Sequence, residues 1–339
     1  MTSANFLSLD AGARPAAMAG TFVGLADGAD AIAYNPAGLA LLDRKEASFM
    51  HNQYLPGITQ EWLAAAFPTR NYGTFAVSAN TLIVSPFSAY DLNDTPAGSV
   101  SAADGSYGLA YAFGFAGGWS LGAGAQYIRS RLDNQTATTA GYDVGAHWRS
   151  GGALEFGLSA LHLGGGLRYI TEAAPLSRTI KFGVAFHPLA FMDDHPEMGF
   201  PINRLSLLAD VSSPENQSLA VSAGLEFAYG ALMVRAGGRT GDYAGPGYTA
   251  GVGIALFRRS RNRPEIDFDY AFVDYGDLGI AHRAGLTIKF GDELSRREDD
   301  EPRSRWNWPW SKGEKDGNQA NPRWHQENFE PINFGPSGS

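Results

Sequence analysis

The sequence predicts an all-β protein: a transmembrane barrel of about 14 antiparallel strands, with a short N-terminal helical hatch and a disordered C-terminal tail. Three observations predict it. From residue 46 to 291, segments of roughly ten residues alternate in polarity, the length a tilted barrel strand needs to cross a bilayer. Aromatic residues gather near the segment ends, among them Trp62, Trp119, Trp148, Tyr229, Tyr248 and Tyr275, as interfacial girdles do. The segments are also rich in Gly and Ala, as in "GLAYAFGFAGGWSLGAGAQY". Such residues weaken a soluble sheet but permit the close approach of an inserted plug.

Composition narrows the field. The chain of 339 residues has no Cys, which excludes disulfide scaffolds and thiolate sites. Its 44% hydrophobic content excludes a wholly disordered chain. A net charge of −9 excludes nucleic acid as a partner, because neutralising phosphates takes clustered Lys and Arg. No apolar run reaches 18 residues, which excludes a spanning helix but not spanning strands. The first six residues read as a mature N-terminus, so a removed secretory leader is expected, with the bacterial outer membrane as destination.

Residues 1–45 form the expected hatch. They hold too many Gly for one long helix, so short helical pieces are expected at 16–25, 30–34 and 36–42. Asn35 is placed to cap the last of these, with Pro36 in the first turn, where its missing N–H costs nothing. Asn35, Pro36, Ala37 and Gly38 are therefore the candidate hatch or gate residues: a fixed seat against the wall on a structural reading, a movable gate on a functional one.

Residues 46–291 form the expected barrel. Candidate strands lie near 46–54, 58–68, 72–82, 105–116, 118–131, 136–149, 153–163, 177–187, 202–212, 217–228, 231–239, 247–258, 265–274 and 280–290. An even number returns both barrel ends to one side. The 83–104 and 164–176 connections are long and expected to face outward, whereas 188–201 is long on the inner side, against the rule. The last hairpin is the most legible. Ile266, Phe268, Tyr270 and Phe272 share one face and Asp267 and Asp269 the other; Leu286, Ile288 and Phe290 likewise oppose Arg283 and Lys289. The apolar face suits lipid. The four charges suit the lumen, with Asp267 and Asp269 in diagonal reach of Lys289 and Arg283.

Residues 292–339 are dense in charge, Pro, Asn and Gly and read as a disordered periplasmic tail. Trp306, Trp308, Trp310 and Trp324 interrupt it and are candidate anchors for a periplasmic partner.

No catalytic constellation stands out, and the protein is expected not to be an enzyme. The 7 His are scattered without metal-ligand spacing, and no cofactor is expected. The acidic stretches 91–94 and 193–197 offer oxygen ligands for Ca²⁺ but read better as solvated loops.

Three stretches carry a resemblance: "FLSLDAGARPAAMAGTFVGLADGADAIAYNPAGLALL", "LSALHLGGGLRYITEAAPLSRTIKFGVAFHP" and "FDYAFVDYGDLGIAHRAGLTIKFG". Together they resemble the PorV/PorQ family of outer-membrane proteins, relatives of the FadL-type fatty-acid transporters, over about residues 1–291. The resemblance implies a fourteen-stranded barrel blocked by an N-terminal hatch. It further implies a role in type IX secretion, receiving the C-terminal domains of cargo from a translocon and shuttling them onward. The FadL-type relatives imply instead the passive uptake of hydrophobic small molecules. The expected partners are thus outer-membrane lipid, with translocon and cargo on the first reading and an apolar ligand on the second. A soluble β-rich adhesin is the third reading.

Overall fold

Residues 3–294, without 152, 170–172, 192–201, 242–246 and 258–263, are described by a computed structural model. The tail from 295 onward, with Trp306, Trp308, Trp310 and Trp324, lies outside the described residues, as does the acidic stretch 193–197.

Alternating polarity builds a closed barrel of fourteen strands. They are β1 (Lys45–Leu55), β2 (Ile58–Thr69), β3 (Gly73–Tyr90), β4 (Pro96–Gly114), β5 (Trp119–Leu132), β6 (Gln135–Arg149) and β7 (Leu154–Gly164). After a small ribbon, β8 (Gly166–Arg168) with β9 (Ala173–Pro175), come β10 (Thr179–Phe186), β11 (Ile202–Pro214), β12 (Ala220–Tyr229) and β13 (Leu232–Arg239). The set ends with β14 (Tyr248–Leu256), β15 (Glu265–Asp274) and β16 (Ile280–Phe290). Each strand pairs antiparallel with the next, β7 with β10, and β16 returns to β1 from Lys45↔Phe290 to Gln53↔His282. Closure removes the free edges that an open sheet would expose.

The pleat sorts residues by parity. Phe49, Leu63, Leu121, Leu158, Val252 and Phe268 point outward and are about half exposed. A continuous apolar wall of this kind is unfavourable in water and suits a bilayer. Leu286 shares that face. Leu286→Arg should therefore lower the assembled fraction, at about 2–4 kcal/mol for a cation at mid-membrane depth. Heat-modifiable migration of the membrane fraction measures it; wild-type assembly of this variant would overturn the facing assignment.

Three sequence expectations need correction. Trp62 and Tyr275 are not girdle residues: Trp62 is 4% exposed and Tyr275 6%, both turned inward. Nearness to a strand end does not give parity. The stretch 83–104 is not a loop but the far end of the β3–β4 hairpin. β2 leaves β3 at Val84 and β5 leaves β4 at Ala102, so beyond them the two strands pair only with each other. Residues 16–25 are not one helical piece. Helix α1 covers Ala13–Ala16, and the chain then reverses through Ala19 (φ 56°) and Gly20 (φ 71°), left-handed conformations that end a helix. In the last hairpin Asp267 stands opposite Thr287, one diagonal from Lys289, and Asp269 opposite Gly285, one diagonal from Arg283.

The core lies between hatch and wall. Met18, Phe22, Leu25 and Leu39 of the hatch pack on Met50, Trp62 and several wall alanines. The hatch starts at one mouth of the barrel, where the Ser3 N–H donates to the Pro175 carbonyl at 2.8 Å and its hydroxyl to that of Ala174 at 2.7 Å. Phe6 joins Leu167 and Leu176 beside the β8–β9 ribbon, over Ile128. The hatch ends at the opposite rim, where β1 begins.

Candidate functional site

Asn35 sits at the centre of the hatch seat. It is fully buried, and its Oδ1 accepts the Ala37 N–H at 3.2 Å, capping the 3-10 turn Pro36–Leu41. Its amide also ties hatch to wall: Nδ2 donates to the Val23 carbonyl at 3.2 Å and to that of Ala146, on β6, at 3.1 Å. The Ser120 hydroxyl of β5 donates to the Ala37 carbonyl at 3.0 Å.

Three glycines make this approach sterically feasible. A methyl at Gly122 would lie 2.4 Å from the Pro36 carbonyl carbon, one at Gly145 2.1 Å from Asn35 Oδ1, and one at Gly157 2.0 Å from the Val23 carbonyl oxygen. They stand on the neighbouring strands β5, β6 and β7, paired as Gly122↔Gly145 and, one step on, His147↔Gly157. Gly38 faces into the hatch itself, where a methyl would meet the Ala26 carbonyl oxygen at 2.1 Å. The wall thus presents bare backbone where the hatch rests.

A charge cluster fastens the other side. Glu226 of β12 is fully buried and accepts from Arg14 Nε at 2.8 Å, from Arg235 Nε at 2.7 Å, and from Arg204. Arg14 and Arg204 both reach Asp27, at 2.7 and 2.9 Å. Burial alone would raise the Asp27 carboxyl, but the Arg14 and Arg204 guanidiniums hold it below its ordinary range. Asp30 has no such partner. Burial pushes it up to about 6, against the Trp62 indole N–H that donates to it at 2.7 Å.

The four charges expected in the lumen lie inside the barrel, Lys289 with Asp267 as expected and Asp269 and Arg283 with other partners. Lys289 reaches Asp267 and Glu265, both at 3.1 Å. Asp269 accepts from Arg235 at 2.6 Å. Arg283 crosses to the hatch, donating to the Asp10 carbonyl at 2.7 Å and to the Tyr275 hydroxyl at 2.9 Å. Two of the four therefore belong to the fastening of the hatch, directly or through Arg235. The latch residues Arg14, Asp27, Arg204, Glu226 and Arg235 escape the sequence reading, although Glu226, set between apolar Leu225 and Phe227, carries the signal of a luminal charge.

Above the seat, a cavity of about 100 Å³ separates hatch from wall. Leu7, Leu9 and Tyr34 of the hatch face Asn80, Gln126 and Lys181 of the wall across it. Beside it the β6–β7 register slips between Tyr142 and Val144, and His162 takes a left-handed φ of 58°. The Asp143 carboxylate accepts the His162 N–H at 2.7 Å, satisfying a donor that the bulge takes out of the ladder.

A lipid-facing closed barrel whose lumen is stoppered by its own N-terminal segment defines the class: a hatch-plugged β-barrel of the bacterial outer membrane. No family model and no curated protein matches the sequence. Solved structures share the fold. The toluene transporter TbuX of Ralstonia pickettii aligns with a TM-score of 0.56 at 13% identity, over 85% of this chain and 99% of that one. The monoaromatic hydrocarbon channel CymD aligns at 0.53 and 11%, over 88% and 100%. A mutant of the monoaromatic hydrocarbon channel TodX aligns at 0.52 and 10%, over 84% and 99%. These likenesses carry the FadL-like barrel fold and do not reach the narrower PorV/PorQ resemblance.

Proposed function

We propose that this barrel is a gated channel, admitting small and largely apolar molecules across the outer membrane when the hatch shifts. The carrying observation is the cavity between hatch and wall, set beside a bulge in the wall. The fold shared with a toluene transporter and with monoaromatic hydrocarbon channels supports the reading. Cavity size selects within it. A dry protein cavity of about 150 Å³ accepts benzene; one of about 100 Å³ suits a molecule of one ring or less, after a small adjustment. Cells expressing the barrel should take up radiolabelled toluene or benzoate faster than cells lacking it; equal rates for both probes would sink the channel reading.

One observation favours a second reading, the secretion shuttle of the PorV/PorQ resemblance. The free end of the β3–β4 hairpin exposes Phe87, Tyr90 and Leu92, an apolar tip that suits protein docking on the outer rim. Purification from the native outer membrane, with proteins and small molecules both identified, separates the two. Secreted cargo with a large translocon, and no small molecule, would replace the channel reading with the shuttle.

A further inference from the structure

We propose that the ligand of the cavity carries a carboxylate, and that Lys181 is its counter-ion; the preferred class is a small aromatic acid rather than a neutral hydrocarbon. This rests on the channel reading and names its substrate.

Lys181 lies on β10 between Ile180 and Phe182, whose side chains are exposed on the lipid face, so its own turns inward. It is the one lysine or arginine lining the cavity. Other inward cations have carboxylates: Arg14, Arg204 and Arg235 share Glu226, Arg239 has Asp10, and Lys289 has Glu265 and Asp267. Among the described residues Lys181 forms neither an ion pair nor a hydrogen bond. Its ammonium stands over the Tyr34 ring, 5.4 Å from the centroid. A ring face compensates a desolvated ammonium only in part.

The acids around it have other partners, although Asp210 keeps its Oδ1 buried without a hydrogen-bond partner. Asp10 is held by Arg239 at 3.0 Å, with Arg283 at 4.0 Å. Asp210 accepts the Phe22 and Val23 N–H groups at 2.9 and 3.0 Å, through one oxygen. Asp143 accepts from the His162 N–H and, at 3.0 Å, from Gln126. The imidazole of His162, the other basic group on the lining, lies 3.2 Å from the Ser177 carbonyl. An anion entering the cavity therefore finds one uncommitted positive charge. Leu7, Leu9, Ile32 and Leu161 supply apolar surface for a ring, and Asn80 and Gln126 neutral polar groups for further substituents. A purely hydrocarbon ligand would leave the ammonium without an acceptor.

The test is equilibrium dialysis of the full-length barrel in detergent against radiolabelled benzoate and toluene, with heat-modifiable migration checking each variant. Wild type should bind benzoate more tightly than toluene. Lys181→Met should lose about 10-fold or more in benzoate affinity, the scale of one charge-assisted hydrogen bond, and leave toluene binding unchanged. Lys181→Arg should keep most of the benzoate affinity. Tighter binding of toluene by wild type, or undiminished benzoate binding by Lys181→Met, would overturn the acid assignment and leave the channel reading in place. Binding of neither molecule to wild type would overturn both. The wild-type comparison decides even if Lys181→Met fails to assemble.

Discussion

Gly157→Val should turn a closed barrel into a conducting one. A Cβ at Gly157 falls 2.0 Å from the Val23 carbonyl oxygen and 2.9 Å from Asn35 Nδ2, far inside van der Waals contact. The oxygen belongs to backbone, so no rotamer change relieves the clash. Either the wall bows outward or the hatch leaves its seat. The wall is held by continuous ladders to β6 and β10, whereas the hatch is held here by a few hydrogen bonds, so the hatch yields. Overpacking typically costs about 1–3 kcal/mol, and a backbone collision of this depth stands at the upper end. Planar-bilayer recordings should show ohmic current for the variant at voltages where wild type is silent, with barrel assembly unchanged. Wild-type silence from a correctly assembled Gly157→Val would mean that the seat does not hold the plug. Gly157→Ala should show the same direction, since the collision starts at Cβ.

The second large effect is expected at Glu226. Its carboxylate receives three guanidiniums and is fully buried. Glu226→Gln keeps the shape and removes the charge, leaving Arg14, Arg204 and Arg235 facing one another with only Asp27 and Asp269 to share. Breaking a buried ionic network from one side costs about 3–5 kcal/mol, largely because the remaining charges stay buried. The loss falls on the contact between hatch and wall, since Arg14 is the hatch's contribution. Chymotrypsin should then cut assembled Glu226→Gln after Phe22 or Tyr34 of the hatch under conditions where the wild-type hatch is protected. Equal protection would show that the latch contributes nothing to retention.

The barrel was legible because its signal is local. Ile266 to Val273 alternates residue by residue, and an apolar side chain facing lipid needs no partner to be recognised. The hatch seat was not legible, because it is made by register. Gly122, Gly145 and Gly157 are far apart in sequence and become one surface only after β5, β6 and β7 are aligned. Partner choice among luminal charges was legible only for Asp267 and Lys289, for the same reason. Asp267, Asp269, Arg283 and Lys289 could be assigned a face from parity, yet Arg283 reaches across to Asp10 and Asp269 to Arg235, on elements remote in the chain. The far end of the β3–β4 hairpin escaped because both its faces meet solvent, and without two different environments a strand has no reason to alternate. Lys181 lies in the open alternation of "TIKFGV" and reads as one more inward charge; its lack of an acidic partner is a property of the fold.

The clasp of Ser3 to the β8–β9 ribbon gives the plug an unusual mechanical standing. One covalent thread runs from the mouth beside the β8–β9 ribbon, past the cavity and the seat, to the opposite rim where β1 begins. A cork can be drawn from one side with no effect on the other; a thread stitched at its far end cannot. Tension applied at that rim is delivered to the ribbon, and loosening of the ribbon gives slack to the seat. On the channel reading, opening this barrel is in that sense a single degree of freedom shared by both mouths.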